Sequence, residues 1–358
     1  MKKLTGTLLL ITLLSVNCFG YGSPGHALIG RVADKLLAGH PTATKVSTLL
    51  NGMSLAQAAV LADDIKNLDN QPPGPFHLVP EFAAIESQMR AFWQANQPSS
   101  AQFFHRNFHF TDVPVVGNET YSGGTVGRSD TDIVHMMNFC IAVLQGHISE
   151  NNARRITKPV AIILLAHYVG DIHQPLHVGA EYFNSAGQIF EPTPANKGFG
   201  DRGGNQLTLF LLNHGHFTNA GQFHAYWDND TVARARVLIS REIQAATHNP
   251  VNPNSDQVET WLATHEPANW RLPAQVPVSS WAESWANDIM PLARQAHQRL
   301  IFSNIVFQPH SSTIATGRAR EASPVDGVAY QLWAARIVEM EMHKAGWRLA
   351  ALLAVALN

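Results

Sequence analysis

Apolar residues recur at the spacing of an α-helix through most of this 358-residue chain. Within Gly25–Leu37, Leu28 and Ile29 are followed by Val32 and Leu36, which is a 3.6-residue period. The same period is found in further segments: Leu55–Asn67, Ile85–Ala95, Asp130–Gln145, Pro159–Leu176, Asp230–Ala246, Ser279–Phe302 and Ala329–Leu357. The sequence therefore predicts an all-α fold.

Short strands are predicted at two places, Asn205–Leu212 and Phe108–Thr111, because no long alternating apolar series occurs. Loops rich in Pro, Gly and Asn separate the helical segments: Asp69–Pro80, Val113–Arg128, Tyr182–Gly204, His248–Pro253 and Pro309–Ala322. Helical segments continue at similar density on both sides of every loop, so nothing marks a domain boundary. We expect a single compact all-α domain at residues 21–358, with a short β-hairpin or strand pair and long loops.

Residues 1–20 have the pattern of a secretory signal peptide. A positive start, Met1–Lys3, precedes an apolar run that is too short to span a bilayer. Cys18 and Gly20 supply small residues at positions −3 and −1 of a cut before Tyr21. A buried N-terminal helix and a lipid-anchored Cys18 are the alternatives. The expected product is exported, either secreted or periplasmic, without stable membrane association.

The charge balance and the histidine content point to different partners. Lys and Arg total 25 against 27 Asp and Glu, a formal net charge of −2, so a long surface that wraps duplex DNA is not expected. Histidine, the commonest metal ligand, occurs 18 times. After the predicted cleavage Cys140 is the single cysteine, so the fold must depend on its core and on any bound metal rather than on a disulfide.

The segment Ala166–His177 carries the densest group of candidate metal ligands. It follows an apolar run that would bury most of a helix. On that helix His167 and Asp171 are four residues apart and project from one face. An imidazole and a carboxylate presented together suit a divalent cation such as Zn²⁺. Gly170 removes a side chain beside them and leaves room for a ligand or for close backbone approach.

The residues after Asp171 add a further candidate ligand. Pro175 breaks the hydrogen-bond ladder and would kink or end the helix. That bend would redirect His177, which on a straight helix would point away from His167. His173 faces elsewhere and is expected to be structural.

A single His-x₃-Asp pair is a weak signal, and the case for a metal centre comes from further groups of the same kind. His224 and Asp228 repeat the four-residue spacing, and His109 lies in an aromatic segment. Asp63 lies on an otherwise apolar helix, where an unpaired carboxylate would be strongly unfavourable. His26 follows the predicted cut. With the ligands named above, these groups exceed what one mononuclear site uses, so several cations are expected.

In this order along the chain, these residues resemble the zinc-dependent single-strand-specific nuclease and 3′-nucleotidase family (nuclease S-one and P-one). The resemblance spans nearly the whole mature chain, from Tyr21–His26 to Ala345–Leu353. Its densest part is His-x-x-Gly-Asp-x-x-Gln-Pro-Leu-His at His167–His177, and Gly203–Asn205 adds a Gly-Gly-Asn motif. The resemblance implies a nearly all-helical domain of the phospholipase C and nuclease P-one type, with three zinc ions in a cleft.

The resemblance also implies a ligand set. The implied ligands are Asp63, His109, His167 and Asp171 for one zinc; the bridging Asp171, His26 and the free amine and carbonyl of Tyr21 for a second; and His177, His224 and Asp228 for a third. Tyr21 stands where the family typically has Trp, which makes the cut site less certain but leaves the backbone ligands in place. The absence of disulfides in the mature chain points toward a bacterial-type member.

The implied reaction is hydrolysis of phosphodiester bonds. Asp63, Lys66 and Asp171 are expected to be catalytic in an enzyme that cuts single-stranded DNA and RNA to 5′-mononucleotides and acts as a 3′-nucleotidase. Cations paired across Asp171 lower the pKa of a bound water toward about 7, and Lys66 would steady transition-state charge. From its position alone, Lys66 is better interpreted as a solvated surface lysine, and that alternative stays open here.

The resemblance assigns base binding to four residues. Phe110 would stack on the base, while Asp112, Gly203 and Asn205 would offer hydrogen bonds. A base held in this way must be out of the duplex, which predicts a preference for single strands and nucleotides. Without the resemblance, Phe110 would be a core residue and Gly203–Asn205 a turn. The enzyme is expected to be a monomer.

Two other functions fit part of the pattern. A zinc-dependent phospholipase C shares the fold, but it typically has Glu in the last ligand pair, where this chain has Asp228, and it lacks the base-binding set that includes Asn205. A non-catalytic periplasmic zinc-binding protein would close its metal shells with protein ligands. The third ion, with only three protein ligands, favours catalysis instead.

Overall fold

The computed structural model describes residues 21–98, 104–307, 314–324 and 326–358. The predicted signal peptide at residues 1–20, with its alternatives, lies outside the described residues, as does part of the predicted loop Pro309–Ala322. Most described residues are helical and fewer are in strands, which confirms the mostly α-helical fold class.

The helices follow one another along the chain with short 3₁₀ turns between them. The α-helices are α1 Gly22–Leu37, α2 Pro41–Leu49, α3 Leu55–Ala58, α4 Leu61–Asp64, α5 Ala83–Ala95, α6 Ile133–Leu144, α7 Lys158–Asp171, α8 Phe223–Ala225, α9 Thr231–Thr247, α10 Asp256–Thr264, α11 Trp281–Gln298 and α12 Tyr330–Ala356. The 3₁₀ turns are Ile65–Asp69, Pro80–Phe82, His105–His109, Tyr121–Gly123, Pro175–His177 and Val278–Ser280, and Tyr226–Asp230 is a π-helical turn.

Helix α7 lies at the centre of the molecule. Every residue from Val160 to Asp171 is buried, and α1, α3, α5, α6 and α12 all pack against this helix. Thr157 caps its first turn by accepting a hydrogen bond from the backbone N–H of Val160. An all-round apolar sequence is what a fully enclosed helix requires. Candidate ligands at its C-terminal end are therefore held within the core.

Within the described residues, the strands form three small sheets. The strands are β1 Val113–Pro114, β2 Gly179–Ala180, β3 Tyr182–Phe183, β4 Phe199–Gly200, β5 Leu207–Asn213, β6 His216–Gln222, β7 Leu300–Phe307 and β8 Ala315–Glu321. The largest sheet has the order β6-β5-β8-β7, in which β5 and β8 are parallel and the other pairs antiparallel. Its inner face, which includes Leu207, Leu209 and Ala319, joins the helical core.

The helical periodicity located the long helices to within a few residues, and the predicted strand at Asn205–Leu212 is confirmed as β5. The predicted strand at Phe108–Thr111 is wrong, because a 3₁₀ turn covers His105–His109 instead. The predicted helix Ser279–Phe302 ends early, at Gln298, and its last residues begin β7. The predicted hairpin or strand pair corresponds to β5 and β6, which form one half of the four-stranded sheet.

Two further findings concern the cysteine of the mature chain and the hydropathy of the helices. Cys140 is buried and free. Within the described ranges, no helix combines the length and the apolar character needed to cross a bilayer.

Candidate metal centre

The C-terminal turn of α7 brings two candidate ligands together. His167 and Asp171 are fully buried, and His167 Nε2 lies 3.1 Å from Asp171 Oδ2. After Asp171 the chain leaves the helix, and a 3₁₀ turn begins at Pro175. The turn carries His177 back toward the helix end, with its Nδ1 3.9 Å from Asp171 Oδ1.

A first group of ligand atoms joins three separate elements. Asp63 lies on α4, His109 at the end of the 3₁₀ turn His105–His109, and His167 on α7. The ligand atoms of these three residues all lie within 4.8 Å of one another. His167 Nε2 is 3.5 Å and His109 Nδ1 is 4.0 Å from Asp63 Oδ1. Asp171 Oδ2 lies 3.0 Å from His109 Nδ1. The structure therefore brings together the four residues assigned to one cation.

A second group shares Asp171 with the first. His26 on α1 places its Nε2 3.2 Å from Asp171 Oδ1, the oxygen that does not face His109. The His26 ring stacks on His167 with centroids 3.8 Å apart. One carboxylate thus faces imidazoles on both sides, which is an arrangement that can bridge two cations.

Tyr21, the predicted N-terminal ligand, is buried immediately before α1. Its hydroxyl donates to the carbonyl of His173 at 2.5 Å, and its own carbonyl accepts from Gly25 N–H at 3.2 Å. Coordination by a free Tyr21 amine stays a prediction.

A third group lies beside the other two. His177 Nε2 and His224 Nε2 are 3.1 Å apart, and His224 Nε2 is 3.5 Å from Asp228 Oδ2. His224 lies on α8 and Asp228 on the π-helical turn that follows, so the extra residue of that turn sets their relative position. All three side chains are buried.

Backbone carbonyls orient three of the imidazoles. The Nδ1–H groups of His167, His177 and His224 donate to the carbonyls of Ala59, His109 and Gly203 at 2.7, 2.8 and 2.7 Å. A donor at Nδ1 fixes the tautomer and leaves the lone pair on Nε2. In each case Nε2 is the atom that faces the neighbouring ligand groups, which is how metal-binding histidines are usually held.

Several buried polar atoms in these groups form no hydrogen bond, although some of them lie within ion-pair distance of a neighbouring ligand atom. They are both ring nitrogens of His26, Nε2 of His167, Oδ2 of Asp63 and Oδ1 of Asp171. Buried polar atoms are normally satisfied, because leaving them unpaired costs about 1–3 kcal/mol each. Imidazole nitrogens and carboxylate oxygens in this number are the donor set that zinc prefers. The residues present therefore fit zinc ions.

The protonation states also suit metal binding. Burial would raise the pKa of Asp171, but His167 and His177 outweigh it and hold the pKa well below its usual range. Burial lowers the pKa of His177 to about 4 and that of His109 well below its ordinary value. His167 is the exception, because the carboxylates beside it outweigh burial and raise its pKa. Ionised carboxylates and neutral imidazoles are the forms that ligate cations.

Lys66 is buried rather than solvated, so its interpretation as a surface lysine is wrong. It is 4% exposed, and its Nζ lies 2.6 Å from Asp63 Oδ1, one turn earlier in the chain. Burial would raise the pKa of Asp63, but Lys66, followed by His167, lowers it to about 2. A fixed cation is therefore coupled directly to the first ligand group.

A cleft of about 1100 Å³ opens onto the ligand groups. Three of the ligands form part of its lining: His109, His177 and His224. Other lining residues include Lys66, Trp93, Phe110, Arg202, Asn205 and Gln222. The cleft therefore combines buried ligands with cationic, aromatic and amide side chains that a large anionic ligand can reach.

Two of the four predicted base-binding residues line the cleft, and the other two do not. Phe110 is half-buried and lines the cleft together with Asn205, whose Nδ2 donates to the Arg202 carbonyl at 2.9 Å. Asp112 is not among the described residues that line the cleft, and burial raises the pKa of its carboxyl to about 7. Gly203 is also absent from that lining.

Gly203 acts through its backbone. It has φ +59°, and a Cβ there would lie 2.0 Å from the Leu176 carbonyl oxygen. Only glycine fits this left-handed, crowded position. Its carbonyl is the acceptor that orients His224. Gly203 thus supports a ligand of the third group.

Two residues that the sequence analysis did not assign hold the site in place. Gln174 Nε2 donates to Asp228 Oδ1 at 2.9 Å, and Gln174 stands inside the densest motif, which was the signal that could have identified it. Asp69 accepts from Trp93 Nε1 at 2.7 Å and from Arg106 Nε at 2.6 Å, and it also contacts His105. It therefore ties the segment that ends in His109 to the turn carrying Lys66.

The structural interpretation of His173 fits its surroundings. Its Nδ1–H donates to the Val169 carbonyl at 2.6 Å, and Nε2 accepts from the buried Arg348 Nη1 at 3.0 Å. Arg348 in turn pairs with Asp288 at 2.8 Å. His173 thus links α7 to α12 and takes no part in the three ligand groups.

Comparisons relate this chain to known proteins. A family model described as S1/P1 Nuclease matches residues 21–358. Among curated proteins, Endonuclease 5 of Arabidopsis thaliana is 30% identical over 110 residues, 29% of this chain and 29% of that protein. Endonuclease 2 of Arabidopsis thaliana is 20% identical over 195 residues, 51% of this chain and 58% of that protein. The matched segments thus span less than two thirds of either relative.

Proposed function

Because this chain belongs to the S1/P1 nuclease family, we propose that it is a zinc-dependent endonuclease and 3′-nucleotidase that hydrolyses single-stranded DNA and RNA to 5′-mononucleotides. The observation that carries the proposal is the shared carboxylate: Asp171 faces His26 with one oxygen and His109 and His167 with the other. Ligand groups joined in this way lie beside a cleft of about 1100 Å³ that a nucleotide can enter.

Three zinc ions are proposed, one for each ligand group. Asp63, His109, His167 and Asp171 would hold one; Asp171, His26 and the processed amine and carbonyl of Tyr21 a second; and His177, His224 and Asp228 a third. When bound, the ions supply Lewis acidity, which activates water and stabilises the charge of the phosphate and of the departing 3′-oxygen.

The protein side chains position and neutralise the phosphate. Lys66 is pre-oriented by Asp63 and lines the cleft, so its ammonium can stabilise negative charge on a transferring phosphoryl group. Because Lys66 is buried, its charge is less screened than that of a surface lysine. Asp63 has two roles in the proposal, as a zinc ligand and as the anchor of Lys66.

Base recognition is proposed at the rim of the same cleft. The half-buried ring of Phe110 provides a stacking surface, and Asn205 offers its amide. Gly203 contributes by fixing His224. Asp112 does not line the cleft but interacts electrostatically with Arg202, which does. Stacking on Phe110 requires an unpaired base, which supports the preference for single strands.

The proposal extends to the state of the protein in the cell. Residues 1–20 are proposed to be removed on export, giving a secreted or periplasmic enzyme whose new N-terminus at Tyr21 completes one zinc site. The enzyme is proposed to act as a monomer, since every assigned ligand comes from one chain.

Metal and product analysis of the mature protein tests the proposal. We expect about three zinc ions per molecule and release of nucleoside 5′-phosphates from single-stranded DNA and RNA. Hydrolysis of a phosphatidylcholine but not of nucleic acid would instead identify a phospholipase C, and bound zinc without hydrolysis of either substrate would identify a non-catalytic zinc-binding protein. Undiminished nuclease activity after exhaustive zinc removal would reject the metal-dependent reaction.

A further inference from the structure

The outer face of the four-stranded sheet carries an unusual combination of side chains. Phe210 on β5 and Phe217 on β6 lie on this face, with Phe217 43% exposed. Two exposed arginines of β8 lie on the same face: the Arg318 guanidinium carbon is 5.4 Å from the Phe210 ring centre, and that of Arg320 is 4.8 Å from Phe217. We define these four residues as the sheet platform.

The register of the strands places the platform on one surface. Arg318 pairs with Thr208 of β5, and Arg320 pairs with Phe210. The alternate residues of β5 and β8, such as Leu209 and Ala319, are buried on the opposite face. Arg318 and Arg320 therefore form successive rows about 7 Å apart along the strands.

No exposed acidic side chain on the four strands balances the positive charge of the platform. The single acidic residue in the four strands is Glu321, which is 5% exposed and points inward. Its carboxylate accepts from the backbone N–H groups of Leu212 and Tyr330, both at 2.8 Å. The ion pairs among the described residues involve other arginines, so neither platform arginine has an ion-pair partner there. A chain with a net charge of −2 thus presents a local cationic, aromatic surface.

The platform is continuous with the cleft. Gln222, at the end of β6, lines the cleft and pairs with Thr208 of β5, which in turn pairs with Arg318 of β8. Gln222 also hydrogen-bonds to the backbone carbonyl of Asn205 on the cleft wall. A ligand that leaves the cleft past Asn205 and Gln222 reaches Arg318 first and Arg320 next.

We propose that the sheet platform binds the part of a nucleic acid single strand that extends beyond the cleft, with Arg318 and Arg320 on phosphates and Phe217 and Phe210 under bases. The inference rests on the proposed nuclease function, which supplies the strand. Arginine and aromatic side chains in alternation are the usual means of holding single strands without sequence preference, because every base has a face that can stack. A protein partner would suit the apolar side chains but leaves two unopposed guanidinium groups unexplained.

The test compares long and short substrates with the zinc-loaded protein. In the double variant Arg318→Gln/Arg320→Gln, we expect a roughly tenfold or greater loss of affinity for a labelled 20-nucleotide phosphorothioate strand, measured by fluorescence anisotropy. The slope of log affinity against log salt should fall by about 1.4, since each phosphate contact on a single strand contributes about 0.7. Cleavage of a dinucleotide, which fills only the cleft, should be unchanged.

The control variant removes the same charge elsewhere. Arg155 and Arg241 are exposed and lie off the sheet, so Arg155→Gln/Arg241→Gln should leave the affinity for the long strand nearly unchanged. Phe217→Leu should weaken the long strand without altering the salt slope, because it removes stacking and not charge.

The outcomes separate this inference from the proposed function. If the unaltered protein cleaves nucleic acid and the sheet variant binds the long strand with the same affinity and salt slope as the control, the platform is not a strand site. Equal loss on the dinucleotide and the long strand would also overturn it, since the variant would then act through the cleft. Failure of the unaltered protein to cleave any nucleic acid would reject the proposed function instead.

Discussion

Gly170 lies directly against the imidazole of His26: a Cβ at position 170 would be 2.6 Å from His26 Nδ1. No real Cβ approaches an atom so closely, so the two helices α1 and α7 can place His26 beside Asp171 only because residue 170 has no side chain. The room that the sequence analysis expected beside the ligands is occupied by another proposed ligand.

Gly170→Ala should therefore displace His26. We expect the zinc content to fall by about one ion per molecule and the nuclease activity to fall about tenfold to hundredfold, as for loss of a group that orients a metal ligand. Gly346→Ala is the matched control, because its Cβ would lie 2.6 Å from Val32, away from the ligands. The control should lose stability but keep its zinc. Equal zinc loss in both variants would show that helix spacing, and not His26, is affected.

Lys66 tests the role of a buried cation. Lys66→Met should lower kcat roughly 10²–10³-fold, as expected for removal of a group that stabilises transition-state charge, with a smaller change in KM. Lys66→Arg keeps the charge and should recover part of the rate. The zinc content should be unchanged in both, because Lys66 is not a ligand. A zinc loss that matches the rate loss would mean that Lys66 acts only by holding Asp63.

The sequence predicted the long helices because their apolar residues keep one period over many residues. The strands β7 and β8 were not predicted, because the apolar pattern of their sequences is short or weak. In β8 the inner positions are Ala315, Ala319 and the buried Glu321, so the strand carries little apolar signal. β7 begins with Leu300 directly after α11, and its apolar start reads as a continuation of that helix.

The candidate ligands were identifiable because buried imidazoles and carboxylates on apolar helices require partners. What the sequence could not give was the contacts between distant segments. The burial of Lys66 depends on the packing of the turn that carries it, and the role of Asp69 depends on Trp93 and Arg106, which are far along the chain. Spacing within one helix predicts neighbours, whereas tertiary contacts of this kind have no local pattern.

Asp171 and Asp228 differ in the number of ligand groups that they join. Asp171 contacts imidazoles of two groups, while Asp228 belongs to one. Asp171→Asn should therefore release about two zinc ions and lower the temperature of unfolding more than Asp228→Asn, which should release about one, since bound ions stabilise the folded state. Metal analysis and thermal unfolding of both variants provide the check. Equal zinc losses would contradict the shared carboxylate.

Glu181 should lower the free energy of unfolding as the pH rises from about 4 to about 7. It is 5% exposed, and burial, with a smaller contribution from Asp201, raises the pKa of its carboxyl to about 7. A carboxyl whose pKa is raised by folding destabilises the protein only when it must ionise, so the penalty is absent below about pH 4, grows as the pH rises and is complete above about pH 7.

Glu181→Gln removes the charge, and its amide oxygen can still accept from Tyr182 N–H, the bond that Glu181 makes at 3.2 Å. We expect the variant to be more stable than the unaltered protein by on the order of 1–3 kcal/mol at pH 8, with the difference vanishing near pH 4. Urea unfolding of both proteins at the two pH values measures it, with the exposed Glu191→Gln as control. A variant that is less stable at pH 8 would show that the ionised carboxylate of Glu181 is held by the buried His297 and contributes to folding.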